Sequence, residues 1–106
     1  MKKKLWTILA LASAAALAPA APAQTRDALY VQSLAATCAN CHGTDGVAVS
    51  GAPVPGLAGL PREHIVTQMQ AFKAGTRPAT IMHQIAKGYT DAQINELAAW
   101  FAAQKK

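Results

Sequence analysis

Cys38, Cys41 and His42 form the pattern Cys-x-x-Cys-His, which constrains this chain more than any other feature of its sequence. Two cysteines at this spacing lie about one helical turn from each other and share a face. Each thiol can therefore add across one of the two vinyl groups of a haem, and the adjacent His42 is directed at the iron as an axial ligand. The pattern is typical of covalent attachment of c-type haem.

Other chemistries use two cysteines at this spacing. A thioredoxin-type dithiol is expected within a βαβ pattern, and the sequence has no strand-like alternation of apolar and polar residues. A tetrahedral zinc site needs a second pair of ligands, and Cys38 and Cys41 are the only cysteines of the chain. A structural disulfide between them would leave His42 without a role. Haem attachment is the interpretation that uses all three residues.

The N-terminal segment has the pattern of a secretory signal peptide. Residues 2–4 are lysines, residues 5–18 form an apolar run, and residues 21–23 read Ala-Pro-Ala, a small-x-small cleavage site. The apolar run is 14 residues long, which is shorter than the ~18–20 residues that a membrane-spanning helix needs. We therefore expect export and cleavage rather than a membrane anchor.

Cleavage after Ala23 is expected, with Ala20 as the alternative, so that residues 1–23 are removed and residues 24–106 form one periplasmic domain. This domain has 83 residues, with seven basic and five acidic side chains. No basic stripe predicts nucleic-acid binding, and no membrane contact is expected after cleavage. A domain this small buries a marginal core and generally needs a staple. Because both cysteines belong to the haem motif, the haem itself would be the staple, and folding would be coupled to its binding.

The apolar periodicity predicts an all-α domain in which about four helices surround one covalently attached haem. A first helix is predicted over residues 28–37, with Thr25 or Asp27 as its cap, and it leads into the haem motif. Tyr30 and Leu34, four residues apart, with Val31 alongside, predict its apolar stripe, and the small residues Ala35 and Ala36 would allow another helix to approach closely.

Residues 43–59 contain five glycines and two prolines and predict a loop. Three further helices are predicted at residues 61–73, 79–87 and 90–104, and a glycine follows each of the first two. The last of these helices opens with a capping box of Thr90 and Gln93. We expect this helix to cross the first one and to close the domain. The predicted apolar faces are Ile65, Met69 and Phe72 on the second helix, and Ile94, Leu97, Ala98 and Phe101 on the last, flanked by Trp100.

An exported all-helical domain of this size with Cys-x-x-Cys-His near its N-terminus resembles a class I cytochrome c. Residues 55–59 read Pro-Gly-Leu-Ala-Gly and are similar to the Pro-Asn-Leu-Ala-Gly segment of many bacterial members, with Gly56 in place of the asparagine. The resemblance implies that the carbonyl of Pro55 accepts a hydrogen bond from His42 and so orients it. It also implies that Leu57 packs against the haem.

A narrower resemblance lies in the C-terminal half. Residues 77–82, Arg-Pro-Ala-Thr-Ile-Met, and residues 85–91, Ile-Ala-Lys-Gly-Tyr-Thr-Asp, resemble the cytochrome subunit of flavocytochrome c sulfide dehydrogenase. In that family a flavoprotein subunit oxidises sulfide and passes electrons to the haem subunit. The resemblance implies an electron carrier, or the haem subunit of an oxidoreductase complex, with a flavoprotein as redox partner. Related free cytochromes carry similar segments, so a free carrier to a terminal oxidase or another acceptor is the alternative.

Iron needs a second axial ligand, and the candidates are His64, Met69, Met82 and His83. Met69 lies on an apolar helix face, where methionine is most often part of the core, and His64 is expected to be solvated. Met82 follows a proline turn and matches the position of the ligand in the family. Histidine and methionine ligation also suits electron transfer, because it raises the reduction potential. We predict Met82, with His83 as the alternative because it replaces the proline of the family's usual Met-Pro pair.

With both axial positions filled by the protein, no open site is expected on the iron, which favours electron transfer over a haem sensor or peroxidase. A thiol-disulfide oxidoreductase using Cys38 and Cys41 is the alternative from a different class. Lys73, Arg77 and Lys87 flank Met82 in the sequence and are predicted either to steer an acidic redox partner or to be ordinary solvated charges.

Overall fold

The computed structural model describes residues 26–106, which are helical and contain no β-strand. The predicted signal peptide over residues 1–23, its cleavage sites and Thr25 lie outside the described residues. The elements are α1 (Arg26–Ala36), α2 (Ala39–His42), a single 3-10 turn (Thr44–Gly46), α3 (Arg62–Ala74), α4 (Met82–Lys87) and α5 (Asp91–Ala102).

The core lies where α5 packs against α1 and α3. Four residues of α5 at helical spacing are buried, and three of them, Leu97, Ala98 and Phe101, form one cluster with Ile65 of α3 and Ala35 of α1. Trp100 is half-buried beside them, with its ring edge-on to Phe101 at a centroid distance of 5.0 Å. The predicted face of α5 and the predicted contact between the first and last helices are therefore confirmed. The buried residues of α5 are Ile94, Leu97, Ala98 and Phe101.

The start of α5 is fixed by its own sequence. The backbone N–H of Gln93 donates to the Thr90 hydroxyl at 3.1 Å, and the Thr90 N–H donates to the Gln93 side-chain oxygen at 2.9 Å. These two bonds are the predicted capping box, and they satisfy backbone donors that a helix leaves unpaired at its first turn.

The predicted apolar stripe of α1 is wrong in part. Tyr30 is 49% exposed, Leu34 is half-buried, and the buried residue of the helix is Ala35. A small side chain at the contact lets the backbones of α1 and α5 approach closely, and a tyrosine there would hold them apart. Asp27 lies inside the first turn of α1 rather than at its cap.

The helix that carries Met82 is shorter than predicted. It begins at Met82 rather than at residue 79, because Ile81 has a non-helical backbone with φ −139°. Thr80 and Ile81 are both β-branched, which weakens their helix propensity. Gly75 ends α3 in the left-handed conformation at φ 77°, as predicted for a helix-closing glycine. No helix among residues 26–106 is long and apolar enough to cross a membrane.

Candidate functional site

The two cysteines of the motif lie on one turn of helix. Cys38 stands immediately before α2, and its carbonyl accepts from the backbone N–H of Cys41 at 3.3 Å and of His42 at 2.9 Å. Cys38 is half-buried, Cys41 is exposed, and both are free thiols. The predicted arrangement, two thiols one turn apart with the histidine next to the second, is present.

The electrostatics of Cys38 do not suit a redox-active dithiol. Burial raises the pKa of the Cys38 thiol, a hydrogen bond to Thr37 opposes this rise, and the neighbouring Cys41 adds to it. Thiol-disulfide enzymes need the opposite shift, because the thiolate is the attacking species. The zinc alternative fails as well, since residues 26–106 bring together no group of three or more His, Cys, Asp or Glu side chains that could hold a metal ion.

His42 is buried, with 8% of its surface exposed, and its Nδ1 lies 2.7 Å from the carbonyl oxygen of Pro55. A carbonyl oxygen can only accept, so Nδ1 carries the proton and donates. Neutral imidazole has one N–H, and Nε2 therefore has a free lone pair for a metal ion. The hydrogen bond implied by the family resemblance is present, and it selects the tautomer that an iron ligand needs.

Pro55 reaches His42 because the segment that follows it is fixed by backbone hydrogen bonds. The carbonyl of Gly46 accepts from the N–H groups of Leu57 at 2.8 Å and Ala58 at 3.0 Å. One residue later, the N–H of Gly59 donates to the carbonyl of Phe101 in α5 at 2.9 Å. The loop is thus held both to the turn that follows His42 and to the core helix.

Two glycines make this close approach possible. A Cβ at Gly43 would lie 1.8 Å from the carbonyl oxygen of Val47, and a Cβ at Gly46 would lie 2.8 Å from the backbone nitrogen of Ala58 and from the ring of Phe101. Both glycines have positive φ, +85° and +78°. The sequence marked this region only as a glycine-rich loop, and the need for glycine at these two positions comes from contacts that the loop makes with distant residues.

Met82 is the first residue of α4 and is half-buried, as is His83. The competing candidates behave as predicted, since His64 is exposed and Met69 packs against the core cluster. The Nδ1 atom of His83 is buried and has no hydrogen-bond partner among the described residues. Leu57 is half-buried and contacts the same core cluster.

These residues fit a covalently bound haem. The chain offers two thiols for attachment, an imidazole nitrogen with a free lone pair for the iron, and a buried nitrogen at His83 that a polar group could satisfy. Apolar side chains are left uncovered in the loop after His42 and around α4, with Val49 at 74%, Ile81 at 57% and Ile85 at 37% exposed. A large apolar group such as a porphyrin would give these side chains a partner.

Comparison with known proteins agrees with this geometry. Residues 28–105 match the family model described as Cytochrome c. The chain belongs to the cytochrome c family. Members of this family carry covalently bound haem c, and Cys38 and Cys41 supply the attachment motif. The all-α fold and the class I resemblance are thereby confirmed.

Two relatives and one solved structure are similar to this cytochrome in sequence or fold. It is 41% identical over 73 residues to the cytochrome subunit of sulfide dehydrogenase of Chlorobaculum tepidum, covering 69% of this chain and 64% of the relative. It is 37% identical over 98 residues to the thiosulfate dehydrogenase electron acceptor of Thiomonas intermedia, covering 92% and 44%. Acidithiobacillus ferrooxidans cytochrome c4 superposes with a TM-score of 0.66 at 32% identity, covering 76% of this chain and 51% of that one. The matched part of this chain thus spans between 44% and 64% of the length of these relatives.

The predicted cluster of three cations near Met82 takes a different form. Lys73 donates from Nζ to the carboxylate of Asp91 at 2.9 Å, and Arg77 donates to Gln68 while its guanidinium lies 4.6 Å from the ring centroid of Phe72. Lys73 is therefore paired with a carboxylate, whereas Arg77 keeps its full positive charge because the side chain of Gln68 is neutral. The pairing of Lys73 reduces the positive charge for steering a partner by one of the three cations.

Proposed function

We propose that this cytochrome is a single-haem electron-transfer protein that passes one electron at a time between partner proteins. A haem with two protein axial ligands supplies reversible one-electron chemistry at iron. The observation that carries the proposal is the hydrogen bond from His42 Nδ1 to the Pro55 carbonyl, 2.7 Å long. It commits Nε2 of a buried imidazole to ligation, in the residue that directly follows the attachment cysteines.

Each residue of the site has a distinct role in this proposal. Cys38 and Cys41 bind the haem through thioether bonds, and His42 is one axial ligand. Pro55 fixes the ring plane of His42 and increases the electron density on the imidazole, as acceptors of this kind do for metal-bound histidines. Met82 is the second axial ligand, and Leu57 packs against the haem.

Filling both axial positions excludes water and small ligands from the iron, which is why electron transfer is favoured over oxygen activation or gas sensing. Met82 is preferred to His83 because it matches the family's ligand position and its thioether stands at the start of α4. The thiol-disulfide alternative is disfavoured by the burial that raises the pKa of Cys38.

For the partner, we propose the flavoprotein subunit of a sulfide dehydrogenase, in the periplasm. Support comes from the similarity of residues 77–82 and 85–91 to that family and from the Chlorobaculum tepidum relative, whose name makes it the cytochrome subunit of such an enzyme. A free carrier is the second candidate, because the Thiomonas intermedia relative is named as an electron acceptor of thiosulfate dehydrogenase. The chain by itself is an electron carrier rather than an enzyme.

The function is tested by producing the full chain in a host that exports it and attaches c-type haem. Mass spectrometry should find residues 24–106 plus one haem, and the reduced protein should not bind carbon monoxide readily. The ferric protein should have the far-red iron–methionine band, and Met82→Ala should abolish it. A mature chain without haem would overturn the proposal, and a band that persists in Met82→Ala would overturn the ligand.

The partner is tested by isolating the native protein and examining what is bound to it. Co-purification with a flavoprotein that reduces the haem when sulfide is added would support the subunit role. A native protein that purifies alone, and is reduced by a thiosulfate-oxidising enzyme but not by sulfide and flavoprotein, would support the free carrier instead.

A further inference from the structure

Tyr89, in the connection between α4 and α5, is held from three directions. Its hydroxyl lies 2.8 Å from the hydroxyl of Thr37, its carbonyl accepts from Lys73 Nζ at 2.8 Å, and its N–H donates to the carbonyl of Ala86 at 3.3 Å. Its ring also packs against the core cluster. Tyr89 therefore connects three parts of the fold: Thr37 after α1, Lys73 of α3 and the end of α4.

The direction of the bond between Thr37 and Tyr89 follows from counting protons. The Thr37 hydroxyl lies 2.7 Å from the carbonyl of Leu34, and since a carbonyl only accepts, the single hydroxyl proton of Thr37 is used there. Tyr89 is therefore the donor to Thr37. The bond joins residues 52 positions apart, and Thr37 directly precedes Cys38.

The short helix α4 depends on other elements for its position. It has six residues, no side-chain cap at its start, and Ala86 as its buried residue. Helices this short are not stable alone and take their position from tertiary contacts. Here those contacts are the packing of α4 on α3 and the attachment of Tyr89, two residues after the helix ends.

We propose that Tyr89 is a positioning residue for Met82. The hydrogen bond from Tyr89 to Thr37 fastens the end of α4 to the turn that enters the haem-attachment motif. It thereby fixes the position of Met82 relative to Cys38 and His42. This inference rests on the proposed role of Met82 as an axial ligand. Breaking the bond leaves the covalent haem in place but makes Met82 easier to displace.

Tyr30 provides a matched control within the same molecule. Its hydroxyl accepts from the Gln93 side chain at 2.7 Å, a bond that joins α1 to α5 without touching α4. Tyr30→Phe and Tyr89→Phe thus remove the same atom from a long-range hydrogen bond, in which the Tyr30 hydroxyl accepts and the Tyr89 hydroxyl donates. A purely structural role for Tyr89 predicts that the two variants behave alike.

The experiment uses the haem-loaded ferric protein and titrates it with imidazole, which displaces a weakly held methionine, while the far-red band is recorded. Tyr89→Phe should bind imidazole roughly two- to tenfold more tightly than the wild type, the range expected for one lost hydrogen bond. Thr37→Val should bind imidazole more tightly to the same extent, and Thr37→Ser, which keeps the hydroxyl, should have the wild-type affinity. The double variant of Tyr89→Phe with Thr37→Val should bind imidazole no more tightly than either single variant, because both remove the same bond. Tyr30→Phe should leave the imidazole affinity unchanged.

Two results would overturn the inference. One is equal imidazole affinity in Tyr89→Phe and the wild type, and the other is the same increase in Tyr30→Phe as in Tyr89→Phe. Failure of the proposed function is recognised separately, because a band that survives Met82→Ala shows that another residue ligates the iron. Loss of the band in Met82→Ala establishes Met82 as the ligand, and the imidazole affinities of the Tyr89 and Tyr30 variants then test the role of Tyr89.

Discussion

His42 and Pro55, 13 positions apart in the chain, are joined by a 2.7 Å hydrogen bond, and this bond sets which nitrogen of the imidazole carries the proton. The acceptor is a backbone carbonyl, so no side-chain substitution removes it directly. What a substitution can change is how firmly the carbonyl is held opposite the ring. Proline restricts its own φ angle and so limits how far the segment can rotate.

Pro55→Gly should therefore weaken the bond without deleting the acceptor. A weaker bond puts less electron density on the imidazole, which destabilises ferric relative to ferrous iron and raises the reduction potential. We expect a rise of roughly 20–60 mV, corresponding to ~0.5–1.4 kcal/mol in a one-electron couple. Potentiometric titration measures it. Pro53→Gly loosens the same loop two residues earlier and should leave the potential unchanged, so equal shifts in both variants would contradict the role of Pro55.

Gly46→Ala should destabilise the protein severely. The added methyl group meets the Ala58 backbone and the Phe101 ring at 2.8 Å, and the residue keeps φ +78°. We expect a loss of about 2–5 kcal/mol from left-handed strain of ~1–2 kcal/mol and overpacking of ~1–3 kcal/mol. Denaturant unfolding of the haem-loaded protein checks it.

Gly51→Ala separates these two causes. Gly51 has φ +79° and no atom within 4 Å of an added Cβ, so this variant carries the strain alone. We expect a loss of about 1–2 kcal/mol. Equal losses at Gly46 and Gly51 would mean that the packing of the loop against Phe101 contributes nothing.

Asp91 should give the stability a dependence on acid pH. Hydrogen bonds from Lys73 and Gln70, together with the charge of Lys73, lower the pKa of Asp91 below its ordinary 3.8. A carboxyl group whose pKa is lowered by folding stabilises the protein above its unfolded pKa, and this contribution is lost as the pH falls through the lower folded value. Asp91→Asn should thus be less stable than the wild type near neutral pH, and the difference should shrink in that acid range.

Unfolding free energies of both proteins across this pH range measure the effect, which is small because Asp91 is exposed. Glu96→Gln serves as the control. It removes a carboxylate that lies on the same helix but makes no hydrogen bond to Lys73. A difference between wild type and Asp91→Asn that stays constant down to the lowest pH would show that the charge of Asp91 is not its cause.

Removal of the haem should leave the chain poorly ordered. Among residues 26–106, four of the eight buried apolar side chains are alanines, and Ile94 is the large side chain that is fully buried. Such a core gives little hydrophobic stabilisation to set against the entropy of folding. Protein expressed without haem attachment should have reduced helical circular dichroism and no cooperative thermal transition. A cooperative transition close to that of the haem-loaded protein would contradict this.

Much of the fold follows from local sequence. The capping box of Thr90 and Gln93, the glycine that ends α3 at residue 75, and the buried face of α5 depend on residues a few positions apart. The attachment motif is local as well, since its cysteines and histidine share one helical turn. Interactions within a turn need no knowledge of the rest of the chain, and they could be predicted without the structure.

The tertiary structure decided what depends on distant segments meeting. It left Tyr30 half exposed, placed Asp91 and Gln68 as partners of Lys73 and Arg77, and joined Tyr89 to Thr37. Each of these outcomes requires two elements to approach at one separation and one rotation. Apolar periodicity carries no information on that approach. The sequence by itself therefore determined the haem-attachment motif and the helices, because these depend on residues close together in the chain. Packing between distant segments determined the hydrogen bonds of His42 with Pro55 and of Tyr89 with Thr37.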